Sequence, residues 1–284
     1  MAMESIMPGR LRWSPALIAG LLLLAVPLLP ILVGPFLVTP EMADVFGDVP
    51  NLPPSALHPL GTQSEGRDLL AALMLGTPST LTIGLIGGGT ALLIGGILGL
   101  LSGYLGGWVD SVVRTVVDVG LTIPPLAILI LVAASFPIVS IVSMGLIVAA
   151  TAWMGPTRVI RAQILSLRER EFVRVAKLSD AGTLRIVFLE LMPNLIPFLA
   201  ASFVNAMTTA ILASIGLEVL GLGSRQSYTL GNTIYEAVYY TAMWRGMWWW
   251  WLPPIVVLVC IFVGLFLVSH VLDRVANPRL ERGQ

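Results

Sequence analysis

The feature that most constrains this chain is a set of apolar runs too long for any soluble core. Residues 15 to 38 pass without a single charge. At 1.5 Å per residue, about 20 such residues cross the roughly 30 Å hydrocarbon core of a bilayer as a helix. The runs are continuous rather than alternating, which excludes barrel strands of roughly ten residues. The chain is 56% hydrophobic and 11% charged, with a mean hydropathy of +0.90. A soluble domain of that composition would expose far too much apolar surface. The fold class expected is therefore all-α: a polytopic transmembrane bundle with six membrane helices near 15–38, 77–103, 113–134, 137–155, 194–220 and 247–270.

The first run exceeds the roughly 7 to 15 residues of a signal-peptide core, and no A-x-A site follows it. It is expected to remain as a membrane helix, kinked or ended by Pro27, Pro30 and Pro35. Cys260 is the single cysteine, so no internal disulfide forms, and it reads as a packing residue.

Basic residues orient the bundle. With the N-terminus inside, the inner segments hold Arg10, Arg12, Arg114, the run from Arg158 to Arg185, Arg274, Arg279 and Arg282, and the outer side keeps Arg67, Arg225 and Arg245. This bias places both termini in the cytoplasm. "MWRGMWWWW" then falls at the outer mouth of the last helix, where an aromatic belt belongs. The expected organisation is an N-terminal tail, 1–14, a membrane domain, 15–270, and a C-terminal tail, 271–284. Outer loops 39–76 and 221–246 are expected to cap the extracytoplasmic face.

The cytoplasmic loop 156–192 concentrates charge: Arg158, Arg161, Arg168, Arg170, Arg174, Lys177 and Arg185 against Glu169, Glu171, Asp180 and Glu190. One reading is a solvated loop attracted to anionic headgroups. The pattern supports another. From Arg161 the segment is built of helix formers with no Gly or Pro before Gly182, and Phe172, Val175, Ala176 and Leu178 supply apolar positions. Gly182 suits a helix-ending C′ position, Thr183 can open a second short helix, and Pro193 can stop it. An amphipathic helix-turn-helix held between two membrane spans is shaped to dock into a groove on another protein.

These residues resemble the permease subunits of ABC importers for dipeptides, oligopeptides and nickel, specifically the second, C-type permease. That family carries an EAA loop, roughly E-A-A-x3-G-x9-I-x-L-P. Here the register runs Arg174, Val175, Ala176, then Asp180 where the family has glycine, then Pro193. "HPLGTQSEGRD" at 58–68 is similar to the family's H-P-L-G-T-D-x-x-G-R-D. "SGYLGGWVDSVVRTVVDVGLTIPPL" at 102–126, "GLEVLGLG" with Gly231 and Asn232, and "LDRVANPRL" at 272–280 also resemble family segments in the right order.

The resemblance implies a type I importer permease in a bacterial plasma membrane. It would form a heterodimer with a second permease, above two cytoplasmic ATP-binding subunits and below an extracytoplasmic solute-binding protein, which is a periplasmic protein or a lipoprotein. It also implies a coupling site in Glu171, Phe172, Val175, Ala176, Lys177, Leu178, Asp180, Ala181, Gly182 and Pro193. In that reading Phe172, Val175, Ala176 and Leu178 form the buried ridge, and Glu171, Arg174 and Lys177 the rim. Peptides are the implied substrate, with nickel or a metal chelate as the alternative and a secondary transporter or channel as a more distant one.

The chain has no G-x4-G-K-[ST] loop, so it is expected to be non-catalytic and free of cofactors, with ATP and magnesium held by the partner subunits. No nucleic-acid partner is expected. His58 and His270 are the only histidines and fall on opposite sides, so no shared metal site is expected. His58 reads as a turn residue before Pro59. Ser224 and His270 are likewise too far apart for a protease pair.

Gly95, Gly99 and Gly103 form a small-residue stripe, with Gly84 and Gly88 above them. Either static packing or a sliding interface explains it. Arg114 and Asp118 are expected to pair locally, and Glu218 to reach water at the outer end of its helix.

Overall fold

In the computed structural model, residues 14–136, 138–223 and 228–276 are described. The tail residues 1–13 and 277–284, including Arg10, Arg12, Arg279 and Arg282, lie outside the described residues, as do Ser224 and Arg225.

Ser14 starts the first helix, α1 (Pro15–Leu37), by accepting the Leu17 N–H at 3.2 Å. Pro15 sits in the first turn, where its missing N–H costs nothing. The helix continues through Pro27, Pro30 and Pro35 rather than ending at any of them, as membrane helices tolerate.

Asp68 caps α2 (Leu69–Leu105) through the Ala71 N–H at 2.9 Å. The helix therefore begins inside the segment 39–76 expected to be loop. Its 37 residues reach about 55 Å, well beyond the hydrocarbon core.

The span expected at 113–134 is broken. α3 (Gly107–Thr122) and α4 (Pro125–Ala134) meet at 84°. Ile123 precedes Pro124 and is forced into extended backbone, φ −84° and ψ 130°, and the paired prolines remove two donors.

A reciprocal cap between Ser140 and Ser143 opens α5 (Ile141–Ala152). Trp153 keeps helical backbone, φ −69° and ψ −23°, and leads into α6 (Met154–Leu167). There follow α7 (Glu171–Leu178), α8 (Thr183–Arg185), a π turn at Ile186–Leu191, α9 (Met192–Leu217) and a second π turn at Glu218–Leu222. Pro193 does not stop a helix. It lies in the first turn of α9, and the chain stays helical from Thr183 to Leu220, before Gly221 takes left-handed backbone at φ 81°. α10 (Leu230–Tyr239) and α11 (Trp248–Ala276) complete the order.

Among the described residues four helices are long and apolar enough to cross a membrane, and five if the bent α3–α4 pair is one span. The expected sixth falls on α5, whose 12 residues reach only about 18 Å alone. The polytopic all-helical class stands. The count differs because Pro124 and Pro125 break one expected span and because α5, opened by the Ser140 cap, is short.

α2 is the central post, packed against α5, α6 and α9, and α1 lies between α2 and α11. One core cluster joins Ile83, Leu129, Met144, Val148, Ala210 and Leu217. A second, at the end that carries α7, joins Ile160, Ile164, Val173, Ile186, Leu191 and Leu195.

At the opposite end, Arg67 bridges Glu65 and Glu236, both at 3.1 Å, and so ties the 39–68 segment to α10. Tyr240 donates to Glu65 at 2.8 Å. Burial, reinforced by Glu65 and opposed by Arg67, pushes Glu236 up to about 7. The expected aromatic belt divides here: Trp244 and Trp248 are exposed, but Trp250 is fully buried and stacks on Tyr240.

Candidate coupling element and pathway groove

α7 has two faces at helical spacing. Phe172, Val173 and Ala176 turn inward onto the second core cluster, with Val173 fully buried. Glu171, Arg174, Val175 and Leu178, at the i, i+3, i+4, i+7 spacing, form the outward stripe. Val175 is 57% and Leu178 87% exposed. The structure therefore divides the expected ridge. Phe172 and Ala176 hold α7 to its own bundle, and only Val175 and Leu178 project from it. Lys177 is exposed beside them. Nothing local singles out Val173, because its inward role depends on where α6 and residues 186–191 lie.

The turn after α7 is a Schellman close. The Ala181 N–H reaches the Ala176 carbonyl at 3.1 Å, and the Asp180 N–H reaches the Lys177 carbonyl at 3.1 Å. The left-handed residue such a turn requires is Asp180, at φ 56°. Gly182 does not take the expected C′ position: it is extended, φ −63° and ψ 154°, and precedes Thr183. Ala181 packs back onto the core cluster that Ala176 joins.

α6 connects this element to the membrane helices. Gly95, Gly99 and Gly103 lie against it so closely that an added methyl would fall 2.6 Å from the Trp153 carbonyl, 2.8 Å from the Thr157 carbonyl and 2.8 Å from Ile164 Cβ. Gly84 and Gly88 meet Ile211 and Met207 of α9 in the same way. Arg161 on α6 forms a two-toothed pair with Asp110 on α3, Nη2 to Oδ2 at 2.7 Å and Nε to Oδ1. Such charge-assisted forks fix direction as well as distance. Arg168 donates to the Gly103 carbonyl at 2.9 Å, satisfying an orphan acceptor in the last turn of α2. The start of the segment expected as a loop at 156–192 is thus a helix clamped along α2 and α3.

A groove of about 660 Å³ opens beside α6, between α4, α5 and α9 and closed at one end by α11. Its polar lining comes from Thr151, Gln163, Ser202, Asn205, Thr209 and Asp273, set among apolar residues such as Leu129 and Phe198. Asp273 is the only charged residue among the described lining residues. Ser269 of α11 donates to Asn205 Oδ1 at 3.1 Å, which holds that amide at the wall. Neutral hydrogen-bonding groups on hydrophobic walls can carry a polar solute without trapping it. Sequence reading found none of this lining, because its residues are separate in the chain and meet only through packing.

Glu218 does not reach water: it is 1% exposed, in a π turn against Gly223 and Gly231, where added methyls would strike its side chain. His58 is buried, and its Nδ1 is 2.8 Å from Asp68 Oδ2, so it braces the start of α2. His270 is exposed and stacks on Phe266. Arg114 and Asp118 pair at 3.4 Å on an exposed surface. Among the described residues no group of three or more His, Cys, Asp or Glu is placed to hold a metal ion.

Comparison with known proteins gives a consistent result. The family model described as "Binding-protein-dependent transport system inner membrane component" matches residues 95–282. The oligopeptide transport system permease protein OppC of Lactococcus lactis subsp. lactis is 30% identical over 266 residues, covering 93% of this chain and 90% of the relative. The dipeptide transport system permease protein DppC of Bacillus subtilis is 32% identical over 217 residues, covering 75% of this chain and 67% of the relative. The OppC protein of Mycobacterium tuberculosis is 34% identical over 172 residues, covering 60% of this chain and 59% of the relative.

Proposed function

Because the chain belongs to the family of binding-protein-dependent transport system inner membrane components, we propose that it is the permease subunit that carries dipeptides or oligopeptides across a bacterial plasma membrane. It works with a second permease, two cytoplasmic ATP-binding subunits and an extracytoplasmic solute-binding protein. Both termini lie in the cytoplasm. The chain itself performs no chemistry and holds no cofactor; the partner subunits bind and hydrolyse ATP with magnesium.

In this reading α7 is the lever. Its outward stripe seats in a socket on an ATP-binding subunit, and closure of the two ATP-binding subunits pushes α7. Phe172, Val173 and Ala176 pass the push to the core. The α6–α2 seam and the Arg161–Asp110 fork carry it to the groove-lining helices. The groove then alternates between the two sides. Peptide substrates are indicated by the relatives, dipeptide and oligopeptide transport system permease proteins, and the neutral polar lining suits a backbone rich in amide groups.

The observation that carries the reading is the pair of exposed apolar side chains, Val175 and Leu178, on a short helix whose other face is anchored in the bundle. Burying each in a socket would contribute about 1.5–3 kcal/mol. The test is V175D/L178D in the reconstituted transporter. ATPase activity stimulated by the loaded binding protein should fall at least tenfold, with membrane insertion unchanged. Stimulated activity within twofold of the parent would overturn the reading.

A further inference from the structure

The polar groove beside α6 is neutral except at one end, and its hydrogen-bonding groups have a direction. α9 presents Ser202, Asn205 and Thr209 to the groove at the i, i+3, i+7 spacing of one helix face. α11 runs from Trp250, packed at the end opposite α7, towards the α7 side. On it, Ser269 meets the α9 row at Asn205, 3.1 Å away. Asp273 stands one turn further on, about 6 Å closer to the α7 end, and lines the groove together with Gln163 of α6.

What each of these groups has left to bond decides what the groove can hold. The Ser269 hydroxyl donates to Asn205 Oδ1, so the Asn205 amide nitrogen keeps both N–H donors for the groove. Thr209 donates its hydroxyl to the Asn205 carbonyl at 2.9 Å, and Thr151 donates to the Val148 carbonyl at 3.4 Å; both are left as acceptors. Asp273 is exposed and has no ion pair or hydrogen bond among the described residues. The order along this wall is therefore a carboxylate at the α7 end, then N–H donors one helical turn further out.

A peptide lying with its amino end towards α7 matches that order. Its α-amino group, with an ordinary pKa of about 7.7–8.0, is largely protonated at neutral pH and pairs with a carboxylate. Its backbone carbonyls accept from an amide N–H. Extended chain advances about 3.3–3.6 Å per residue, so two residues cover the step from Asp273 to Asn205. The opposite orientation brings the peptide's own carboxylate against Asp273, and like charges repel.

We propose that Asp273 is a specificity-determining residue of the pathway: it receives the α-ammonium group of the peptide and orients the chain with its amino end towards the α7 side. The inference rests on the peptide-import reading above. A basic side chain of the second permease is the competing partner for Asp273, and it would make the role of this carboxylate indifferent to the peptide's amino group.

The experiment uses the assembled transporter in nanodiscs without nucleotide, irradiated with a tripeptide that carries a diazirine on its first side chain. Adducts are mapped by mass spectrometry. With a free amino group, the tripeptide should label residues 269–273 of the parent. Asp273→Asn, or acetylation of the peptide's amino group, should each lower that yield about fivefold, the upper range for one exposed ion pair. Combining them should lower it no further than either alone, and Asp273→Glu should keep the parental yield. Equal yields from the parent and Asp273→Asn, an equal loss in Asp273→Asn for the free and acetylated peptides, or no adduct in the groove of the parent would each overturn the proposal. ATP-driven uptake of the free-amino tripeptide by the parent checks the underlying reading separately. Uptake without Asp273-dependent labelling overturns the orientation alone, and no uptake overturns both.

Discussion

The α2–α6 seam allows a comparison in which one large energy term cancels. Gly96 and Gly99 are three residues apart on α2, and alanine at either gains about 1 kcal/mol of helix propensity. Their surroundings differ. A methyl at Gly99 would lie 2.8 Å from the Thr157 carbonyl, 3.0 Å from Ile160 Cβ and 3.1 Å from the Arg161 nitrogen. Two of those atoms are backbone and cannot rotate away. Comfortable carbon contacts lie near 3.5–4.0 Å, so the helices must separate, at the overpacking cost of about 1–3 kcal/mol. At Gly96 the nearest atom, Ile160 Cδ1, is 3.8 Å away and no separation is needed. Gly96→Ala should therefore stabilise the protein by up to about 1 kcal/mol, and Gly99→Ala should fall below it by about 1–3 kcal/mol. Denaturant titration in detergent, followed by tryptophan fluorescence, reads the difference. Equal midpoints, or a more stable Gly99→Ala, would show that α2 and α6 are not in this contact.

Two further perturbations test other parts of the structure. Glu236 is pushed up to about 7 from an ordinary 4.5, with burial the main cause. Below about pH 4.5 the closed and opened forms of the 39–68 and α10 region are both protonated at this group; between 4.5 and 7 only the opened form releases the proton. The closed form therefore loses stability as pH rises through that window, by at most about 3 kcal/mol. Hydrogen exchange in residues 39–68, corrected for intrinsic rates, should show weaker protection at pH 8 than at pH 5, and Glu236→Gln should flatten the difference; equal protection in the parent would refute the assignment. At the other end, Asp180→Gly places glycine at a left-handed position and should strengthen the α7 close by about 0.5–1 kcal/mol. The readout is slower exchange of the Ala181 amide, and faster exchange would contradict the geometry.

The parts of the fold legible in sequence were those set by local composition. Uninterrupted apolar length located the membrane helices, the Gly95, Gly99, Gly103 spacing located a close helix contact, and the charged 168–182 stretch located α7. Breaks and continuations were harder to read. Pro124 and Pro125 turn the chain by 84°, but Pro193 and Pro197 lie in an unbroken helical stretch. A proline's effect depends on whether neighbouring helices satisfy the freed carbonyls, which local sequence does not show.

Long-range partners were also hidden. Arg161 finds Asp110 across 51 residues and Arg67 finds Glu236 across 169. The inward face of α7 is hidden for the same reason. Val173 and Val175 are equally apolar, and only the position of the second core cluster separates the buried one from the exposed one.

The central claim is that the outward stripe of α7 sits in a socket on an ATP-binding subunit. A single-cysteine map in a Cys260→Ser background tests it most directly, with the assembled transporter treated with a short bis-maleimide. Leu178→Cys should join to an ATP-binding subunit and resist a water-soluble maleimide, and the buried Val173→Cys should do neither until the complex is unfolded. Free labelling of Leu178→Cys in an active complex, with no adduct to any ATP-binding subunit, would contradict the account.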